Sequence, residues 1–187
     1  NPNTNIRINT NLSKVDTKVF DVVCKFPNVH WIVSVETIEE EFEYIRYGGS
    51  WQDFLDNLTT IKQLKHKISF NMLHFLLNFT SIFPCVDYLS NQGFHNNSFI
   101  IGALTAPLYL NVRHLPESVL QSLEQTLMNR INESPGYLLE DSYRNLLRHL
   151  QQPFDKDLSN SIKRLQELDQ LRNLNSKEIF TDLYKLI

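Results

Sequence analysis

The stretch Val29-His30-Trp31-Ile32-Val33-Ser34-Val35 decides the fold. It is apolar at most positions and rich in β-branched side chains, which predicts a strand covered on both faces, as in a parallel sheet. Working outward, similar short runs alternate with longer segments of helical period. Upstream, Ile6-Arg7-Ile8-Asn9-Thr10 predicts a strand. A helix follows over about 16–26, with Val15, Val19, Val22 and Val23 on one face and Asp16 or Thr17 as its cap. Downstream, helical period returns at Ile38, Phe42 and Ile45, stops at Gly48-Gly49 and resumes from Trp51 to Leu64. A third strand is predicted over 67–73, a helix over 79–91 ended by Gly93, and a fourth strand over 98–104. This alternation predicts an α/β protein built of strand-helix-strand units on a parallel sheet.

Beyond Pro107 the character changes. Residues 109–114 read as a short extended piece, and Pro116 opens a helix reaching about Glu133. Further helices are predicted over 138–151, 158–171 and 177–186. The chain therefore divides into a strand-helix part, 1–112, and a helical C-terminal extension, 113–187.

A length of 187 residues suits one compact domain with an appendage, and 42% hydrophobic residues are enough to build a core. Eighteen Lys and Arg against 21 Asp and Glu leave a formal charge of −3, which offers no general attraction to nucleic acid or anionic lipid. The longest apolar stretch, 98–106, falls far short of the ~20 residues that cross a bilayer. The chain is thus expected in the cytoplasm, without nucleic-acid or membrane partners. Asn-x-Ser/Thr triplets at Asn11, Asn57, Asn78 and Asn96 then match only the pattern of a glycosylation acceptor. Cys24 and Cys85 lie in apolar helical patterns and read as small buried hydrophobes. The first residue is Asn and a strand follows almost at once, so the N-terminus reads as cut. A first strand without its partner would expose an open sheet edge that invites association.

Ligands of parallel strand-helix sheets bind at the carboxyl ends of the strands. Those ends carry Thr10 and Asn11, then Ser34, Glu36 and Thr37, then His74 and Asn78. Singly, such residues often only cap the helices that follow. Together they form a polar ring suited to a ligand with hydroxyl, amine and carboxylate groups. Glu36 and His74 also offer an acid-base pair, provided both face one cavity.

Ile8-Asn9-Thr10-Asn11, Val33-Ser34-Val35-Glu36 and Arg46 within Glu43-Tyr44-Ile45-Arg46-Tyr47 resemble the third-strand T-N motif, the fourth-strand S-x-D/E motif and the following arginine of the radical S-adenosylmethionine (radical SAM) superfamily. Pro107 to Arg113 and Leu168 to Phe180 are similar to members with a twitch or SPASM-like extension. The resemblance implies an incomplete parallel (β/α) barrel, with the four strands standing as strands three to six of six. It implies S-adenosylmethionine as cofactor, with Ser34 and Glu36 near its ribose or methionyl part and Arg46 on its carboxylate. Thr10, Asn11 and Asn78 would line the cavity, and His74 and Tyr109 would face a small-molecule or peptide substrate. The chemistry implied is that of a 5′-deoxyadenosyl radical. Glu36 stands where the family more often has Asp.

The family's CxxxCxxC loop and Gly-Gly-Glu turn are absent from this chain. A [4Fe-4S] cluster needs thiolate ligands, and the chain as it stands supplies none in that spacing. The leading expectation is the C-terminal portion of a radical SAM enzyme whose cluster loop lies upstream, not competent alone. The alternative is a non-catalytic binding or scaffold protein derived from the same fold.

Overall fold

The structure, a computed structural model, describes residues 4–187. Four strands, β1 (Ile6–Thr10), β2 (Val29–Ser34), β3 (Lys67–His74) and β4 (Phe99–Ala103), form one parallel sheet in the order β1-β2-β3-β4. Between them run α1 (Lys18–Val23), α2 (Glu39–Ile45), α3 (Trp51–Gln63) and α4 (Ile82–Asn91). After β4 come α5 (Glu117–Glu133), α6 (Leu138–Leu150), α7 (Leu158–Arg172), α8 (Ser176–Ile179) and α9 (Thr181–Tyr184). The strands stand where the apolar runs place them, within a residue or two.

Register assigns each side chain to a face. Ile8 pairs with Trp31, Trp31 with Ile68, Val33 with Phe70, and Phe70 with Phe99. From β2 to β4 these positions are buried under the helices. Phe20 of α1 meets Trp31 at 5.7 Å between ring centroids, and Phe70 sits between Phe94 (4.7 Å) and Phe99 (5.4 Å). Each buried aromatic contributes roughly 1.5–3 kcal/mol of transfer free energy, so this face is the core of the sheet.

The opposite face is open. It carries Arg7 and Asn9, then His30, Ile32 and Ser34, then Lys67, Ser69 and Asn71, half-buried or exposed except for the buried Ser69. The expectation that β2 is covered on both sides is therefore corrected: helices cover one side only. A parallel sheet normally buries both faces, so an open polar face is a departure that calls for an occupant.

Other differences have local causes. Helix α1 is shorter than predicted and starts behind Thr17, whose Oγ1 accepts from Phe20 N at 3.1 Å. Its inward residues are Phe20 and Val23, whereas Val19 and Val22 are exposed, because the Phe20 ring takes the place over Trp31. Residues 108–110 and 112–114 form two 3-10 turns rather than an extended piece, held by Asn111 Oδ1 accepting from Arg113 N and by His114 Nε2 against Leu108 O at 2.9 Å. The last predicted helix breaks at Phe180, which leaves helical geometry to pack edge-on against Tyr44 at 5.0 Å. The helices after 113 do not stand apart, since Leu120, Leu146 and Leu165 join the core that holds Trp31 and Phe70.

The two sheet edges differ. At β4 the outward amide of Ile101 donates to Ser142 Oγ of α6 at 3.0 Å, so the helix seals that edge. At β1, Ile6 N donates inward to Asn28 O at 2.9 Å, which by strand alternation turns the amides of Arg7 and Asn9 outward. Rising protein concentration is therefore expected to shift elution on size-exclusion chromatography toward larger species. The variant Asn9→Pro, lacking one outward amide, should shift back toward monomer. A concentration-independent monomer in the parent chain would refute the open edge.

Candidate functional site at the strand carboxyl ends

Two cavities open at the carboxyl ends of the strands. The first, about 550 Å³, lies between Asn11 and Ser13 after β1, the Gly48-Gly49 joint and Arg172 of α7. The second, about 340 Å³, is walled by Glu36, Leu73, Tyr109 and Leu165. Arg46 and Arg172 line both. These volumes fall in the range of roughly 300–1,000 Å³ typical of small-ligand sites.

The joint explains how Arg46 is aimed. Gly48 has φ +84°, and a Cβ on Gly49 would lie 2.9 Å from Arg46 O, so the tight turn after α2 requires both glycines. The guanidinium then reaches back to Glu36, Nε donating to Oε2 at 2.9 Å and Nη2 to Oε1 at 2.5 Å. Burial pushes the Glu36 carboxyl up, while the Arg46 charge and its hydrogen bonds pull it down, and burial prevails. The two residues that the resemblance places on different parts of a ligand thus form a bidentate pair with each other.

Of the other predicted residues, Asn11 lines the first cavity and closes an Asx turn, accepting from Ser13 N at 3.1 Å. Thr10 lies on the helix side of β1, and its Oγ1 accepts from Leu12 N at 2.9 Å. Ser34 stands on the open face beside Asn71, outside both cavities. Tyr109, half-buried, lines the second cavity.

Asn78 is fully enclosed. Its Oδ1 accepts from Phe75 N at 2.8 Å, and its Nδ2 donates to Leu73 O at 2.8 Å and Glu36 O at 3.0 Å. It braces the tips of β2 and β3 against each other. His74 pairs in register with Ala103 on the helix side, fully buried, with Nε2 against Phe79 O at 3.2 Å. It does not face a substrate cavity. Glu36 lines the second cavity, whereas His74 lines neither cavity.

The sequence reading missed Asn71 and Arg172. Asn71 lies one register step from Ser34, and among the described residues neither side chain hydrogen-bonds to another protein group. Arg172 lies over the Tyr47 ring at 4.9 Å and has no ion-pair partner among the described residues. Its helix is anchored one turn earlier by Asp169, whose Oδ1 accepts from Tyr44 OH at 2.7 Å. The i, i+3 spacing of Asp169 and Arg172 was the available signal.

Neither cysteine suits an iron-sulfur cluster. Cys24 ends α1, and Cys85 is buried in α4 with its thiol pushed well above the usual range by burial, then by Glu36 and Glu41. Among the described residues no group of three or more His, Cys, Asp and Glu could hold a metal ion, and no helix is long and apolar enough to cross a membrane. Comparison with family models, with curated proteins and with solved structures finds no match.

Proposed function

We propose that this chain is the C-terminal portion of a radical SAM enzyme, supplying four of the six strands of the barrel and the tail that crosses its mouth. The observation that carries the reading is the strand order. Four parallel strands follow one another in sequence, with helices on one side only. A doubly wound sheet would reverse direction and place helices on both faces. A singly wound, one-sided sheet is the arrangement that an arc of a barrel would have, with its ligands at the strand carboxyl ends.

S-adenosylmethionine fits the groups available there. Ser34 and Asn71 offer uncommitted hydroxyl and amide groups, and Asn11 adds polar lining. Arg172 offers a guanidinium without a counter-ion, which makes it a better partner for the ligand carboxylate than Arg46, already engaged by Glu36. The Arg46–Glu36 pair then serves to hold the wall between the cavities. When reduced through a cluster, the cofactor supplies a carbon radical. This chain's residues bind and orient it, and they contribute no cluster ligand.

The test uses the full reading frame that contains this chain. It is expected to carry a CxxxCxxC triplet upstream, and its product, reconstituted with iron and sulfide without oxygen, should form 5′-deoxyadenosine on reduction. Substituting Arg172 or Ser34 by Ala should weaken S-adenosylmethionine binding by about tenfold each, as loss of a hydrogen bond to a charged or hydroxyl group does. A frame without the triplet, or a holoprotein that binds no S-adenosylmethionine, overturns the reading.

A further inference from the structure

The amino-terminal end of the open face carries three basic side chains in one row. Arg7 of β1 pairs in register with His30 of β2, and His30 with Lys67 of β3. Adjacent strands lie about 4.8 Å apart, so the row spans about 10 Å. Arg7 and Lys67 are exposed and His30 is half-buried. The next rows on that face are Asn9, Ile32 and Ser69, then Ser34, Asn71 and Ile100. None of these positions is acidic, although the chain has more Asp and Glu (21) than Lys and Arg (18).

Lysines and arginines at strand ends are commonly solvated guards of a sheet edge. That explanation fits Arg7, on the edge strand, whereas Lys67 opens β3 three residues before its pairing with β4 begins at Phe70 and is paired on the other side with His30. Like charges directly opposite one another on a sheet repel and destabilise it. Here the repulsion is felt: the His30 imidazole is held below its usual range by burial and then by Lys67 and Arg7. Among the described residues neither Arg7 nor Lys67 has a carboxylate at ion-pair distance. The imidazole is also oriented, with Nε2 at 2.8 Å from Ser69 Oγ, a side chain that is itself 5% exposed. Lys67 and Ser69 continue into a cavity of about 800 Å³ lined by His95, Asn96 and Asn97, a third set of polar groups without a charge of opposite sign. Two exposed cations without counter-ions among the described residues flank an oriented imidazole whose charging they oppose, and an anion seated among them would reverse that opposition.

We propose that the Arg7–His30–Lys67 row is an oxyanion site that takes the phosphate or carboxylate group of a small ligand lying along the open face. His30 and Ser34 are four residues apart on one strand, about 13 Å at 3.3 Å per residue, so a ligand reaching from the row to the strand tips has that length. The three residues of the row lie at the other end of the strands from the groups assigned to S-adenosylmethionine, so anion binding at the row is tested separately from that reading.

The experiment follows the His30 ring resonances by NMR in the full chain, assigned with His30→Gln. It titrates inorganic phosphate, and separately succinate, at constant ionic strength balanced with chloride. Saturable movement of His30 and a rise of its pKa are expected with at least one of the two, and which one it is distinguishes phosphate from carboxylate. The double variant Arg7→Gln, Lys67→Gln changes only exposed side chains and should weaken that binding by about tenfold or more. Movement that is linear in anion, equal in chloride, or unchanged in the double variant overturns the site. Saturation by an acidic peptide alone also overturns it, by making the row a protein-docking surface.

Discussion

Replacing Asp169 by Ala is expected to lower the unfolding free energy by about 3 kcal/mol and to loosen α7 from the mouth of the sheet. Asp169 is buried and accepts three hydrogen bonds: from Tyr44 OH at 2.7 Å, Ser176 N at 2.9 Å and Ser176 Oγ at 2.6 Å. Ser176 Oγ also meets Tyr184 OH at 2.6 Å, so one carboxylate ties α2, α7, α8 and α9 together. Removing it leaves buried donors without acceptors, at about 1–3 kcal/mol each. Urea unfolding measures the loss, and hydrogen exchange over 165–172 should rise with it, because Arg172 would no longer be held one turn beyond a fixed point. A change within about 0.5 kcal/mol, the usual range for a surface substitution, would show that the network does not anchor the tail.

The second large effect is set by pH. Burial holds the His74 imidazole down to about 4, against an opposing contribution from the hydrogen bond with the Phe79 carbonyl, and the neighbouring His149 adds a smaller push in the same direction as burial. The unfolded chain protonates His74 near its ordinary value of 6.5. Between these values the unfolded state holds a proton that the native state does not. Stability from this residue is thus complete above about pH 6.5 and drains away as pH falls to about 4. The gap corresponds to about 3 kcal/mol at 1.36 kcal/mol per pH unit. Urea unfolding at pH 7 and pH 4.5 should show this loss on top of that from other groups, and His74→Phe should remove that share of the slope. An identical pH dependence in the variant would refute the assignment.

Much of the fold was legible because each strand is a short run of β-branched and aromatic residues bounded by breakers, and because Gly48-Gly49 and Pro116 mark real junctions. The open face was not. Ile32 and Ile100 make the strands look apolar on both sides, and only register shows that they share a surface with Arg7, Lys67 and Asn71. Candidate polar residues were readable by type but not by role. Asn78 reads like a ligand residue and is a brace, and His74 reads like a cavity residue and faces the core. The Tyr44–Asp169 bond joins residues 125 apart in sequence, beyond any local pattern. Periodicity reports which elements form, while the fate of a polar side chain is decided by whichever distant backbone or charge arrives beside it.

Because Ser142 of α6 stoppers the β4 side, edge pairing has a built-in stoichiometric ceiling. A strand ladder that propagates without limit needs two donating margins per molecule, and in this chain by itself only one is unsealed among the described residues. Two copies meeting β1 against β1 consume both, and a third finds nowhere to attach. Self-association of this kind ends in a twofold pair rather than a fibril.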